Sequence, residues 1–371
     1  MSIDLTGIYN DNEFYTSHYV SALLGDDLKG LFSEWNRRAK EEGKHAPSNL
    51  LAKLAPRFFK LLSQVKLQKG DSRGSAEADE ELKTSLKDFH YELLTALDYP
   101  WSPCVRHAED GREISLLCEI AKADGAPELW VIAAEPGRQD AFDLDPLEFE
   151  TGLNGDEPEN LIRFINRAIF SRSEPPRWLL VLAPSQVLLL DRSKWNESRR
   201  LRFDLDEILS RKEASTLSAM AALLHRDSIC PADGLALLDS LDENSHRHAH
   251  AVSEDLKYAL RECIELLGND AADYLRYRRK KGVFSGEEQI DEAQLSLECL
   301  RWMYRILFLF YIEARPELGY VPMNVDAYRR GYSLESLREL EILPLTSEEA
   351  RNGDYIHQSL EIHFSMIPLC Q

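Results

Sequence analysis

Trp178-Leu179-Leu180-Val181-Leu182, then Ala183-Pro184-Ser185-Gln186, then Val187-Leu188-Leu189-Leu190 is the stretch that decides the fold class. Two short apolar runs on either side of a turn sequence form a β-hairpin pattern. Working outward, Leu201 to Leu205 reads as a further strand, and Pro158 to Phe170 as a helical stretch before the hairpin. Earlier still, Ile114 to Ile120 and Leu129 to Ala134 are β-rich runs joined by Ala123-Asp124-Gly125-Ala126-Pro127, a second hairpin. Residues 100–205 are therefore expected to form an α/β unit.

Both flanks carry helical periodicity. Residues 13–42 place Phe14, Tyr19, Leu23, Leu24, Leu28, Phe32 and Trp35 at three- and four-residue spacing, and Ser48 to Gln68 repeats the pattern. Lys69 to Glu80 lacks any large apolar residue and reads as a linker, followed by a third helix over Glu81 to Leu97. After residue 205, Asp206 to Leu224, Ser253 to Arg278 and Asp291 to Ala314 have apolar faces too long for strands. Ser253-Glu254-Asp255 and Asp291-Glu292 look like helix starts, where caps and acids are favoured. Tyr355 to Phe364 is a last helical piece, and the absence of a polar tail before Gln371 predicts that the natural polypeptide continues. The expected fold class is α+β and predominantly helical, in three regions: 1–99, N-terminal helices; 100–205, the α/β unit; 206–371, a helical connector.

Composition narrows the function classes. With 371 residues, 44% apolar and 29% charged, the chain is globular and excludes wholesale disorder and a disulfide scaffold. Its net charge of −20 repels phosphate on average, so any nucleic-acid site must be a local basic patch. The six cysteines have no CxxC spacing and mostly sit in apolar runs, as reduced thiols of the cytoplasm do. The start has neither a basic region nor an apolar one, so no secretory signal is read, and the greasiest run, Ile306 to Ile312, is far short of a membrane span. A soluble cytoplasmic protein without membrane contact is expected.

Several residue sets could carry chemistry. A hairpin after a helix is how PD-(D/E)XK nucleases present two carboxylates and a lysine to Mg²⁺, the lysine polarising the attacking water. Here Asp110 is a candidate first acid, but the second strand ends Ala133-Ala134-Glu135 where Glu-x-Lys would fall. Glu119 and Lys122 on the preceding strand are the remaining catalytic candidates, at a spacing that sends them to opposite faces. His246, His248 and His250 would share a face and gather a metal only if extended; a polar loop before the helix capped by Ser253 is the expectation, with no metal. Tyr274-Leu275-Arg276-Tyr277-Arg278-Arg279-Lys280-Lys281 is the one concentrated basic run. It fits either a phosphate-tracking patch or the solvated end of a helix. Arg192, Lys194, Arg199, Arg200 and Arg202 around Trp195 make a second, more diluted cationic cluster. No GxGxxG, GxxxxGK[ST], GxSxG or HExxH is present, nor the Asn/Asp-Pro-Pro-Tyr/Phe tetrad that holds a flipped base; Glu174-Pro175-Pro176-Arg177 is the nearest string to that tetrad and fits a turn.

Four strings nonetheless resemble one family. They are Asn12-Glu13-Phe14-Tyr15-Thr16-Ser17-His18-Tyr19; Trp178 to Leu182 with Leu189-Leu190-Asp191-Arg192-Ser193-Lys194-Trp195; Ser245-His246-Arg247-His248-Ala249; and Tyr304-Arg305-Ile306-Leu307-Phe308-Leu309-Phe310-Tyr311-Ile312-Glu313-Ala314. In order and separation they are similar to the N-terminal region of large bacterial phage-defence and type IIG-like DNA adenine-N6 methyltransferases, those of DISARM systems in particular and of BREX systems more distantly. The resemblance implies a degenerate PD-(D/E)XK nuclease-like unit at 100–205 and a connector at 206–371 leading toward a methyltransferase domain absent from these residues. S-adenosylmethionine is implied only for a full-length relative; no cofactor is expected in this chain. The expected role is non-catalytic: engaging double-stranded DNA through Arg276, Arg278, Arg279, Lys280 and Lys281, and scaffolding other defence subunits. The alternatives are a Mg²⁺-dependent DNA nuclease and a protein-binding adaptor of a defence complex.

Overall fold

The structure, a computed structural model, describes residues 3–366 other than 44, 71–75, 110, 135–144, 152–158, 278–289, 339, 341–343, 345, 348–349 and 351–352. Its strands in chain order are β1 (Ile8–Asp11), β2 (Cys104–His107), β3 (Glu113–Leu116), β4 (Cys118–Ala121), β5 (Pro127–Ala133), β6 (Glu150–Thr151), β7 (Glu159–Asn160), β8 (Trp178–Leu182), β9 (Gln186–Asp191) and β10 (Arg200–Asp204). Six of them make one mixed sheet in the order β1-β10-β9-β8-β5-β4. Both expected hairpins form: β4 pairs antiparallel with β5, and β8 with β9. The two are joined by the parallel pair β5/β8, whose register sets Trp130 beside Leu179 and Ile132 beside Val181.

Every residue of β8 and β9 is buried, which explains why both strands read as unbroken apolar runs: they lie in mid-sheet and are covered on both faces. Alternation assigns the faces. Leu180, Leu182, Val187 and Leu189 join a large core with Leu129 and Val131; Leu179, Val181, Leu188 and Leu190 join a second core with Trp130 and Ile132. The first core is closed by helices α1 (Ser17–Ala22), α2 (Leu24–Glu42), α3 (Pro47–Gly70) and α4 (Ala76–Ala96). On the second face the crossover supplies α5 (Leu161–Phe164) and a π-helical turn (Ile165–Phe170), which bury Leu161, Ile165, Ala168 and Ile169. The helices α6 (Leu205–Arg211), α7 (Ala214–Leu224) and α8 (Arg226–Ile229) return to the first core. Helix α7 buries residues all round its circumference, as a helix inside a core must.

Several expectations are corrected here. The N-terminal segment is not purely helical, because β1 adds the last strand by pairing Ile8 with Phe203 and Asp11 with Arg200. Four residues, two of them polar, carry too little periodicity to announce a strand. Residues 1–251 form one compact unit and 252–371 another. The expected strand 114–120 breaks at Leu117, and only its second half enters the main sheet, while β3 pairs with β2. The helix expected over 206–224 breaks at Lys212, whose φ of 50° ends α6.

In the second unit α9 (Leu237–Tyr277), which begins before the boundary, is followed by α10 (Glu292–Ala314), α11 (Asp326–Gly331), α12 (Leu334–Arg338) and α13 (Tyr355–Met366). Its core gathers Leu309, Ile312, Val321, Tyr328, Leu334, Leu360 and Phe364. Asp291 caps α10, its Oδ1 accepting from the backbone N–H of Ala293 and Gln294 at 3.0 and 3.1 Å. The chain is thus α+β, and among the described residues no helix is long and apolar enough to cross a membrane.

Candidate functional site

The nuclease-like positions lie on β4 and β5. Glu119 of β4 stands opposite Trp130 of β5 and accepts from its indole Nε1 at 2.9 Å. The same carboxylate is gripped by the Arg106 guanidinium, whose Nε donates at 3.0 Å. Lys122 pairs instead with Glu128 at 3.0 Å, beyond a register shift between Ile120 and Ala121. The two candidates are thus each neutralised by a different neighbour. At the end of β5, Ala134 is buried and bonded through its N–H to the Leu182 carbonyl at 2.8 Å. Asp110 and Glu135 lie outside the described residues. Among the described residues no group of three or more His, Cys, Asp or Glu side chains could hold a metal ion.

The histidine segment is not a loop. His246, His248 and His250 lie inside α9, and Ser253 is an interior residue of that helix rather than its cap. On a helix, residues two apart point about 200° away from each other while residues four apart share a face, so His248 points away from His246 and His250 and the three imidazoles do not converge. Ser245 and His248 are used for packing: Ser245 Oγ accepts the Thr16 N–H at 2.9 Å, and His248 stacks on Tyr19 at 6.2 Å.

Most of the second cationic cluster is neutralised by acids remote in sequence. Buried Lys194 donates to the Phe14 carbonyl at 2.8 Å and to Asp242, and its ammonium lies 4.2 Å from the Phe14 ring centroid. Arg177, stacked 4.8 Å over Trp178, holds Asp239 through Nη1 at 3.0 Å. Asp239 and Asp242 both belong to the first turns of α9, so these two cations fasten its N-terminal end to the sheet. Arg200 and Arg202 share Asp11, at 2.8 and 3.2 Å, and Arg200 also reaches Asp145. Arg199 pairs with nearby Glu197 at 2.6 Å, and exposed Arg192 has no ion pair among the described residues. Arg276, in the last turn of α9, is exposed and stands 5.3 Å over Tyr277, while Arg278, Arg279, Lys280 and Lys281 lie outside the described residues.

Sequence reasoning missed an open cleft of about 550 Å³ between the end of the β1/β10 pair and the crossover. Asn12, Asn160, Asn166, Trp195, Asn196 and Arg200 line it. Two non-glycine residues with left-handed backbone, Asn12 (φ 54°) and Ser198 (φ 55°), are tied across its lip by Asn12 Nδ2 donating to the Ser198 carbonyl at 2.9 Å. Asn166 sits in the π-helical turn, and its Oδ1 accepts from Trp195 Nε1 at 2.5 Å. Trp195 packs edge-on against Phe170. Asn160 has a buried Oδ1 with no hydrogen-bond partner. These residues come from three separate segments, so no sequence spacing could announce them.

No family model, curated protein or solved structure matches the chain.

Proposed function

We propose that this chain is the non-catalytic, DNA-engaging and scaffolding N-terminal region of a bacterial DNA adenine-N6 methyltransferase of a phage-defence or restriction-modification system. The observation that carries the reading is the state of the nuclease-like positions. A helix, a hairpin, a crossover and a parallel strand stand in the order of α4, β4, β5, the 161–170 crossover and β8, which is the order the PD-(D/E)XK resemblance implies. Yet β5 ends on Ala133 and Ala134, and Glu119 and Lys122 are spent on Arg106, Trp130 and Glu128. Among the described residues that arrangement leaves neither Glu119 nor Lys122 free for metal-assisted hydrolysis. Such a unit serves by position and contact.

Duplex DNA is the proposed partner of the exposed end of α9, where Arg276 and its neighbours Arg278, Arg279, Lys280 and Lys281 would neutralise phosphates without reading bases. The scaffolding part is supported by the apolar side chains that 252–371 leaves in solvent, such as Tyr304, Tyr355 and Leu266, a feature of protein contact surfaces. S-adenosylmethionine belongs to a full-length relative and to no residue here. The test is fluorescence anisotropy with a short duplex of arbitrary sequence, titrated from low to physiological salt. The expected result is affinity falling steeply with salt, and a log–log slope that loses about 0.9 per phosphate contact when the five cations are changed to alanine. Binding that those alanines leave unchanged overturns the DNA contact. Metal-dependent plasmid nicking, abolished by Asp110→Ala, would overturn the non-catalytic reading in favour of the nuclease.

A further inference from the structure

The cleft beside β10 has features that a merely solvated surface lacks. Its walls combine a π-helical turn, a form frequent at functional sites, with left-handed non-glycine residues at Asn12 and Ser198. It also holds a buried acceptor, Asn160 Oδ1, that has no hydrogen-bond partner among the described residues. Buried polar atoms are nearly always paired, so an orphan in the wall of a cleft marks a carboxamide that can turn to meet a donor from outside.

Charge and shape restrict what that donor can belong to. Among the described residues the cation in the lining is Arg200, which is committed to Asp11 and Asp145, and Glu148 adds another negative charge. A phosphate or carboxylate group finds no free positive partner there. What remains are carboxamides, which both donate and accept, and the indole of Trp195. Because Trp195 Nε1 is already spent on Asn166 Oδ1, the ring offers the cleft a hydrogen-bond-free aromatic surface. An aromatic face beside carboxamides suits a flat, neutral heterocycle with donors and acceptors on its edge, and a volume of about 550 Å³ accommodates a nucleoside.

We propose that this cleft is a nucleobase site, in which the base stacks on Trp195 and the Asn160 carboxamide pairs with its edge. Adenine is the first choice, since a carboxamide meets its N6 amino donor and N7 acceptor together. Asn166 and Asn196 flank the ring, and the acidic rim turns the sugar, rather than a phosphate, toward the opening. The base can come from a free nucleoside or from a nucleotide swung out of a strand; both present the same edge. The free-nucleoside arm needs no contact with duplex DNA, so it stands apart from the role proposed for Arg276 and its neighbours.

The test is calorimetric titration of the full chain with adenosine, adenosine monophosphate and methyl glucoside, beside anisotropy with a duplex carrying one unpaired adenine or an abasic position. Adenosine is expected to bind saturably, the monophosphate no tighter, and the glucoside not at all. Trp195→Ala should weaken adenosine about tenfold or more, as loss of a base–aromatic stack does, while Trp195→Phe keeps most of the affinity. Asn196→Ala, at an exposed position that the fold does not need, should weaken it without altering the thermal transition. Preference for the unpaired adenine without binding of adenosine supports the same site and assigns the source to a strand. Glucoside binding in place of adenosine, adenosine binding that Trp195→Ala leaves unchanged, or neither adenosine binding nor a preference for the unpaired adenine overturns the proposal.

Discussion

In residues 1–251 the aromatics Phe58, Phe89, Trp130, Trp178 and Phe203 are all but completely buried between helices and sheet; in residues 252–371, Tyr258, Leu266, Tyr304, Phe310 and Tyr355 stand more than half exposed. The second unit compensates with polar chemistry. Buried Glu313 of α10 accepts the Leu334 N–H at 3.0 Å on both oxygens and the Tyr328 hydroxyl at 3.3 Å, and Tyr328 in turn meets His363 Nε2 at 3.2 Å. One carboxylate thereby joins α10 to α11, α12 and α13. The difference teaches that the first unit is held by apolar area removed from water and the second largely by one satisfied polar network. The first tolerates loss of single polar groups, and the second should not.

The comparison breaks most visibly at Phe58, which is fully buried in α3 against Phe59 and Phe89 at 5.2 and 5.7 Å. Phe58→Ala removes a ring from a close-packed layer and should cost about 3–5 kcal/mol. Urea unfolding followed by hydrogen exchange of α3 and α4 peptides measures it. A loss below about 1 kcal/mol would mean that the packing of the first unit is not what holds it.

Acid sharpens the contrast next. His90 of α4 is buried with no partner for its Nε2, and burial alone pushes its imidazole down from 6.5 to about 4. The unfolded chain therefore takes up a proton below about pH 6.5 that the folded chain refuses until about pH 4. Stability is full above pH 6.5 and falls as the pH drops through that window, by on the order of 3 kcal/mol. His90→Leu should flatten the acid limb of the urea midpoint between pH 7 and pH 4.5. An unchanged limb would place the acid sensitivity elsewhere.

How much of this was legible in the sequence follows from where the information lies. The hairpin at 178–190, the hairpin around 123–127 and the long helices are local patterns, and they stand where periodicity put them. Strand β1 was not legible, because its pairing with β10 depends on a partner almost two hundred residues away. Nor was the fate of the arginines near Trp195: sequence shows Asp204 and Asp206 close by, but the acids that neutralise Lys194, Arg200 and Arg202 are Asp242, Asp145 and Asp11. The run at 246–250 carries a loop signature in sequence because its polar residues hide the apolar face that α9 buries at Leu238 and Leu241, earlier in the same helix. The cleft was invisible for the same reason as β1, since its asparagines converge only after the crossover folds onto the second face.

The smallest effect is the most discriminating for the second unit. Glu313→Gln keeps the size and shape of the side chain but replaces two equivalent anionic acceptors with one carbonyl and one amino group. The Leu334 N–H and the Tyr328 hydroxyl both donate to Oε1, and Leu334 also reaches Oε2. One carbonyl can serve both donors, but the amide NH₂ then faces a backbone N–H, donor against donor. Hydrogen bonds to a charged acceptor are also stronger than those to a neutral one, so the change should cost about 1–2 kcal/mol. The loss should appear in exchange protection of α10, α12 and α13 and leave the helices of the first unit untouched. The fluorescence of Trp302, which packs edge-on against Phe364 at 5.4 Å within the same core, offers an independent probe. If Glu313→Gln leaves α12 and α13 as protected as before, the second unit is held by its small apolar core after all, and the two units differ in extent of burial rather than in kind.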